Sequence, residues 1–163
     1  MGDGYKGPVT VADDDGSEKV LEYGETPEEK AVKSFLVWEQ SETIMEMVKD
    51  TDPGDVIPLA SVPKEALNKV VEYMEKMAEF KDKGTSDEEK QEWTDRYKKS
   101  MEPQDQLPLL FQTMTAANFM NVKTLLDELC KFVAEIIAQK TPNEILDYFN
   151  IKKDATWEEE QEL

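Results

Sequence analysis

The chain has 163 residues, 39% of them hydrophobic and 34% charged, a balance that predicts one domain with a hydrophobic core and a well-hydrated surface. Its formal net charge of -18 argues against nucleic acid and against a membrane as partners, because an acidic surface repels phosphate backbones and anionic lipids. The chain contains no histidine, which removes the Ser/His and Cys/His nucleophilic sites and the commonest transition-metal ligand.

Sequence motifs for small-molecule chemistry are also absent. There is no glycine-rich phosphate loop, dinucleotide fingerprint or EF-hand spacing, and the 37 acidic residues are too numerous for any carboxylate pair to indicate acid–base catalysis. Asp13, Asp14 and Asp15 could coordinate a hard cation, but a solvated hairpin turn is the favoured interpretation, since adjacent side chains alternate in direction. We therefore predict a protein that is not an enzyme and that holds no cofactor or metal.

The single cysteine bears on the cellular compartment. Cys130 lies in an apolar run and is interpreted as a small buried hydrophobic side chain, without a partner for an internal disulfide, which is typical of a reducing compartment. No stretch approaches the roughly 18 apolar residues of a membrane span, and the start, MGDGYKGP, lacks the regions of a secretory signal. A cytoplasmic and nuclear location is therefore expected.

The first elements predicted along the chain are strands. PVTVADDDG alternates β-forming residues before a triple-aspartate turn, and KVLEYG follows at once, which predicts a β-hairpin. DVIPLASV predicts a third strand at a sheet edge, because Pro58 cannot donate a hydrogen bond to a strand ladder.

Two helices are predicted around this third strand. Ser41 precedes a short apolar-spaced run that ends near TDPG, and Pro63 precedes a longer amphipathic helix. The apolar face of the longer helix consists of Leu67, Val70, Val71, Met74, Met77 and Ala78. Residues 81–92 are charged and almost free of apolar side chains, which predicts a mobile acidic loop that ends before Trp93.

Three further helices are predicted in the second half. The first begins at Pro108, the second covers residues 122–139, and the third begins at Thr141, which provides a cap before a first-turn proline. The apolar residues of the second helix fill an arc of roughly 160°, wide enough to pack against two layers. Strands followed by helices indicate an α+β domain with a small sheet covered by helices.

The carboxy-terminal half resembles that of Skp-type adaptors. The resemblance rests on AANFMNVKTLLDELCKFVAEII, then KTPNEILDYFNIKKD, then a tryptophan before an acidic run. The earlier half agrees through the DDDG hairpin, QSETIMEMVKD, IPLASVPKEALNKVVEYMEKM and EWTDRYKK, so the match covers most of the chain. The family's last helix and its tryptophan are missing, and TPEEKAVKS resembles an insertion, which indicates a divergent member.

The resemblance implies a fold and a function. Residues 1–137 are expected to form a BTB/POZ-like, cullin-binding domain with a three-stranded sheet, and residues 138–163 a shortened helical extension that binds an F-box. The protein is then a non-catalytic adaptor that links an F-box substrate receptor to a cullin in an SCF-type ubiquitin ligase. Its expected partners are an F-box protein and a cullin, together with a second copy of itself when alone.

The resemblance also implies two sets of binding residues. The cullin-binding set is Asn118, Phe119, Met120, Ile57 and Pro58. The F-box-binding set is Leu125, Phe132, Ile136, Ile137, Ile145, Phe149, Ile151 and Trp157. The alternative interpretation is that these side chains close the core of the chain itself, and it applies to Phe119, Phe132, Ile136, Phe149 and Trp157.

Two other functions stay open on the sequence alone. One is an elongin-C-like or BTB scaffold that forms homodimers or binds another partner without F-box function, which the shortened carboxy terminus favours. The other is a small enzyme or cation-binding regulator, which would need a convergent polar site that the sequence does not show.

Overall fold

The computed structural model describes residues 7–52 and 54–149. Within this part the chain forms three strands, seven α-helices and one 3₁₀ turn. The strands are β1 (Val9–Ala12), β2 (Glu18–Leu21) and β3 (Val56–Pro58). The helices are α1 (Pro27–Trp38), α2 (Glu42–Lys49), α3 (Lys64–Lys83), α4 (Asp87–Lys99), α5 (Leu107–Phe119), α6 (Lys123–Ala138) and α7 (Pro142–Tyr148), with the 3₁₀ turn at Gln104–Gln106. The predicted α+β class is confirmed.

The strands form one sheet in the order β2-β1-β3. β1 pairs with β2 as an antiparallel hairpin and with β3 in parallel, so that Thr10 faces Val20 on one side and Val56 on the other. The hairpin and the edge position of the third strand are as predicted. Parallel neighbours require a long crossover connection, and here α1 and α2 provide it between β2 and β3. Helix α2 is the short helix predicted before the third strand, whereas α1 was not predicted.

Helix α1 is one of two helices that were not predicted from the sequence. Thr26 caps it by accepting the N–H of Glu29 at 3.2 Å, and Pro27 occupies its first turn, so TPEE carried a recognisable helix start. The buried Ser34 ties the helix to the chain after β2: its Oγ accepts the N–H of Tyr23 at 2.7 Å and donates to the carbonyl of Tyr23 at 3.3 Å. The segment identified as an insertion is thus part of a packed helix.

A single hydrophobic core joins the sheet to the helices. Trp38 of α1, Ile44 of α2 and Met74 of α3 are among its largest side chains and have almost no exposed surface. Further fully buried side chains include those of Val11, Leu21, Leu59, Leu67, Met101, Leu110, Met120, Leu125 and Leu129. Because these residues come from both halves of the chain, the sheet and the carboxy-terminal helices stabilise one another.

The predicted loop over residues 81–92 is mostly helical. Helix α3 continues to Lys83 and ends at Gly84, whose φ of 63° is a left-handed conformation that favours glycine. Helix α4 then begins after Ser86, whose hydroxyl accepts the N–H of Glu89 at 3.4 Å. Irregular backbone is therefore confined to residues 84–86. The mobility of the wider segment stays a prediction.

Helix α4 was predicted as part of a loop because its first residues contain few apolar side chains. Its charged residues suit a helix, with acids in the first turn and bases in the last, where they complement the helix dipole. Trp93 and Tyr97 stack at 5.1 Å between ring centroids, and the Tyr97 hydroxyl donates to the carbonyl of Lys69 at 2.6 Å. A few aromatic side chains thus attach an otherwise polar helix to α3.

No helix in the described ranges is both long and apolar enough to cross a membrane.

Replacing Ser34 with alanine should lower the free energy of unfolding by about 1–3 kcal/mol, because both backbone polar groups of Tyr23 lose their hydroxyl partner. Urea unfolding measures the change. The matched control is Ser61→Ala at an exposed serine in the turn before α3, which should cost about 0.5 kcal/mol or less. Equal effects of the two substitutions would contradict a structural role for the Ser34 hydroxyl.

Candidate partner-binding surfaces

The first surface lies at the end of α5. Asn118 and Phe119 form its last turn and are both exposed, Phe119 at 38% of its surface. The chain then turns through Asn121, which has a φ of 56°. The N–H of Asn121 bonds to the carbonyl of Asn118 at 3.2 Å and that of Val122 to the carbonyl of Ala117 at 2.9 Å, as in a Schellman helix end. Phe119 is therefore presented on an ordered turn.

The other residues predicted for the cullin surface divide between surface and core. Pro58 is exposed, whereas Ile57 is buried, because successive side chains of β3 point to opposite faces of the sheet. Met120 has no exposed surface and packs in the core. Asn118, Phe119 and Pro58 are therefore available to a partner, and Met120 and Ile57 support them from beneath.

Some apolar residues of helix α6 face the core, and others face outward. Leu125, Phe132 and Ile136, which were predicted to contact an F-box, are buried in the core of this chain, as the alternative interpretation of Phe132 and Ile136 proposed. Ile137 is 40% exposed. Leu126, Cys130, Val133 and Ile137 follow one another at spacings of three and four and so form a row along the helix. Leu126 and Val133 are partly buried, and Cys130 and Ile137 are exposed. We call this row the α6 outer edge.

The prediction that Cys130 is buried is wrong. Cys130 is exposed, because the apolar arc of α6 is wider than the face that packs on the core. At about 100° per residue, Cys130 and Ile137 lie about 80–100° around the helix from the fully buried Leu129. The width of the arc was visible in the sequence, but which of its edges would be covered was not.

Helix α7 is attached to the body by few contacts. It begins at Thr141, whose hydroxyl accepts the N–H of Glu144 at 3.2 Å, and none of its residues is buried. Gln104 donates from Nε2 to the carbonyl of Asp147 at 2.9 Å, and the Tyr148 hydroxyl donates to the carbonyl of Glu102. Burial, and then the Glu102 carboxylate, raise the pKa of Tyr148, which keeps this hydroxyl a donor.

An aromatic pair links α7 to α5. The ring centroids of Phe149 and Phe111 lie 5.6 Å apart, and Phe111, which is in neither predicted set of binding residues, is 42% exposed. Its position in LPLLFQ looks like that of a core residue. The pair borders an open groove of about 770 Å³, here called the Phe111 groove. Its lining is Gln104, Asp105, Leu107, Pro108, Phe111, Tyr148 and Phe149.

The remaining residues of the predicted F-box set have mixed positions. Ile145 and Phe149 are half-buried, so each retains surface that a partner could cover. Ile151 and Trp157 lie outside the described residues.

The described part of the chain contains one cluster of acids close enough to hold a metal ion. The carboxylates of Asp13, Asp14 and Asp15 lie within 4.8 Å of one another. Asp13 Oδ1 accepts the N–H groups of Asp15 at 2.9 Å and Ser17 at 3.0 Å. The hairpin turn itself therefore accounts for the arrangement of this carboxylate.

Comparison with known proteins gives consistent results. The family model described as the Skp1 family tetramerisation domain matches residues 34–79, and that of the Skp1 family dimerisation domain matches residues 123–163. SKP1-like protein 11 of Arabidopsis thaliana is 40% identical over 75% of this chain and 77% of its own. The S-phase kinase-associated protein 1 homolog of Tetrahymena thermophila is 38% identical over 92% of each chain.

Exposed apolar side chains at Phe111, Phe119 and Ile137 are typical of a protein that binds other proteins. The chain belongs to the Skp1 family, as a divergent member. This membership supports a general adaptor role in SCF-type ubiquitin ligases, and the family consists of adaptors rather than enzymes.

Labelling of Cys130 tests the position of the α6 outer edge. Because the thiol is exposed, a maleimide should label the native chain at a rate close to that of the chain unfolded in urea. Mass spectrometry over time measures both rates, and Cys130 is the only cysteine in the chain. Strong protection of the native monomer would contradict the exposed edge.

Proposed function

We propose that this protein links an F-box substrate receptor to a cullin, and that it does so with the two surfaces described above. The observation that carries the proposal is the uncovered apolar surface of the carboxy-terminal helices. On the α6 outer edge Ile137 is 40% exposed, and in the Phe111–Phe149 pair Phe111 is 42% exposed. The half-buried Leu126, Val133 and Phe149 accompany them, so apolar surface is open to a partner on α5, α6 and α7. Such a surface gains free energy when a partner covers it.

The F-box is the partner proposed for the carboxy-terminal helices. An amphipathic helix of an F-box could lay its apolar side along Leu126, Val133 and Ile137, with Phe149 and Phe111 as aromatic anchors. Leu125, Phe132 and Ile136 support this surface from the core. Ile145 lies on α7 next to the anchors, and Ile151 and Trp157 stay predicted contacts on the basis of the resemblance alone.

The cullin is the partner proposed for the end of α5. A half-exposed aromatic ring next to an exposed amide resembles the anchors found in the centres of protein interfaces. Asn118 and Phe119 form this pair, and Pro58 of β3 is the third proposed contact. In this role the chain catalyses no reaction itself. Cytoplasm and nucleus stay its predicted locations.

Self-association is the second candidate. The α6 outer edge falls within residues 123–163, which match a model described as a dimerisation domain, and apolar side chains there could equally meet a second copy. The two functions are compatible if a homodimer covers the surface until an F-box replaces it. Native mass spectrometry with and without an F-box domain distinguishes exchange from a dimer that ignores the F-box.

The double substitution Ile137→Ala, Phe149→Ala should weaken binding to an F-box domain by about 2 kcal/mol or more, roughly 30-fold, because anchors of this type carry most of an interface's energy. Isothermal titration calorimetry measures the affinity. The control is Val20→Ala, which shortens a 56% exposed valine on β2, and it should leave the affinity unchanged. Unchanged F-box binding by a folded double variant would refute the assignment.

The double substitution Asn118→Lys, Phe119→Lys should abolish cullin binding and leave F-box binding intact, because two unpaired charges would be buried against the cullin only. Binding to a cullin amino-terminal domain and the melting temperature are the two measurements. Val32→Lys is the control, since Val32 is 40% exposed on α1. If the double variant stays folded and still binds the cullin domain normally, the assignment of Asn118 and Phe119 is wrong.

A further inference from the structure

The first turn of α2 meets the last turn of α5. The opening N–H groups of a helix and its closing carbonyls have no partner within the helix. Here the N–H of Glu42 points to the carbonyl of Asn121 at 3.4 Å, and that of Thr43 points to the carbonyl of Met120 at 3.3 Å. Each helix end therefore satisfies polar groups of the other.

Two hydroxyl groups strengthen this junction. The buried Ser41 caps α2 by accepting the N–H of Ile44 at 3.2 Å, and it donates to the carbonyl of Met120 at 2.5 Å. Thr43 donates from Oγ1 to the carbonyl of Phe119 at 2.9 Å. The carbonyls of Phe119, Met120 and Asn121 thus all accept bonds from α2.

The turn after α5 is held from the side as well. Asn121 is the only residue other than glycine with a positive φ in the described ranges, and such a backbone needs support from its surroundings. Its Nδ2 donates to Glu42 Oε2 at 2.6 Å. The other oxygen of Glu42 pairs with Lys123 at 3.0 Å, so one carboxylate joins the turn to the start of α6.

We propose that Thr43 and Asn121 are positioning residues for the cullin surface. They hold the backbone of the last turn of α5 in the orientation that presents Asn118 and Phe119 to the partner. The inference rests on the proposed function, since it concerns the same surface. Its physical basis is pre-organisation: a turn that is already fixed does not lose conformational freedom when the cullin binds.

The test separates positioning from general stability. Thr43→Val keeps the shape of the side chain but removes the bond to the carbonyl of Phe119, and cullin affinity should fall about tenfold. Thr43→Ser keeps the hydroxyl and should restore most of the affinity. F-box affinity should be unchanged in both variants, because the α6 outer edge lies on another helix.

The matched control is Thr94→Val in α4. Thr94 also donates its hydroxyl to a backbone carbonyl, that of Lys90 at 2.8 Å, but within one helix and outside both proposed surfaces. Thr94→Val should lower the free energy of unfolding in urea about as much as Thr43→Val does, and it should leave cullin affinity unchanged. Asn121→Gly is the second variant: it accepts the positive φ and removes the bond to Glu42, so it should weaken cullin binding in a chain that stays folded.

The outcomes distinguish this inference from the proposed function. If the wild-type chain binds a cullin amino-terminal domain and Thr43→Val and Asn121→Gly bind it equally well, the positioning role is overturned and the adaptor role stands. If Thr43→Ser is as weak as Thr43→Val, the hydroxyl is not the cause, and the inference also fails. If the wild-type chain binds no cullin, the proposed function falls and the inference falls with it.

Discussion

The parallel pairing of β1 with β3 is the constraint from which the arrangement of the surfaces follows. Parallel neighbours cannot be joined by a tight turn, so the chain must leave the sheet after β2 and return to it at β3. Helices α1 and α2 form this connection. The return path brings the first turn of α2 against the end of α5. A backbone requirement at the sheet thus leads to an ordered helix junction beside Phe119, far along the sequence.

In the carboxy-terminal half, burial of one side of α6 determines which apolar side chains stay open to a partner. Leu125, Leu129 and Ile136 fill the core, so the helix is fixed by its inner face, and its outer edge stays apolar and open. Helix α7 adds little core of its own and is attached by side-chain hydrogen bonds and the Phe111–Phe149 contact. A rigid helix beside a lightly attached one is a suitable platform for a partner that completes the packing.

The acidic charge of the chain and its exposed apolar side chains have different roles in partner binding. A net charge of -18 opposes aggregation through the exposed apolar side chains of α5 and α6, and it favours encounter with basic protein surfaces. Specific contact must then come from residues such as Phe119 and Ile137, because long-range charge attraction is screened within about 10 Å at moderate salt.

Local patterns in the sequence were sufficient for the strands, for most of the helices and for the family resemblance, since hydrophobic period, caps and prolines act over a few residues. They were not sufficient for α1 and α4: TPEE carried a capping signal but little apolar periodicity, and α4 depends on a few aromatic contacts with α3. The sequence also indicated that α6 is apolar over a wide arc and that Phe119 is a candidate anchor. Only the tertiary structure decided that Phe132 faces inward and Ile137 outward, because that depends on which side of the helix its neighbours cover.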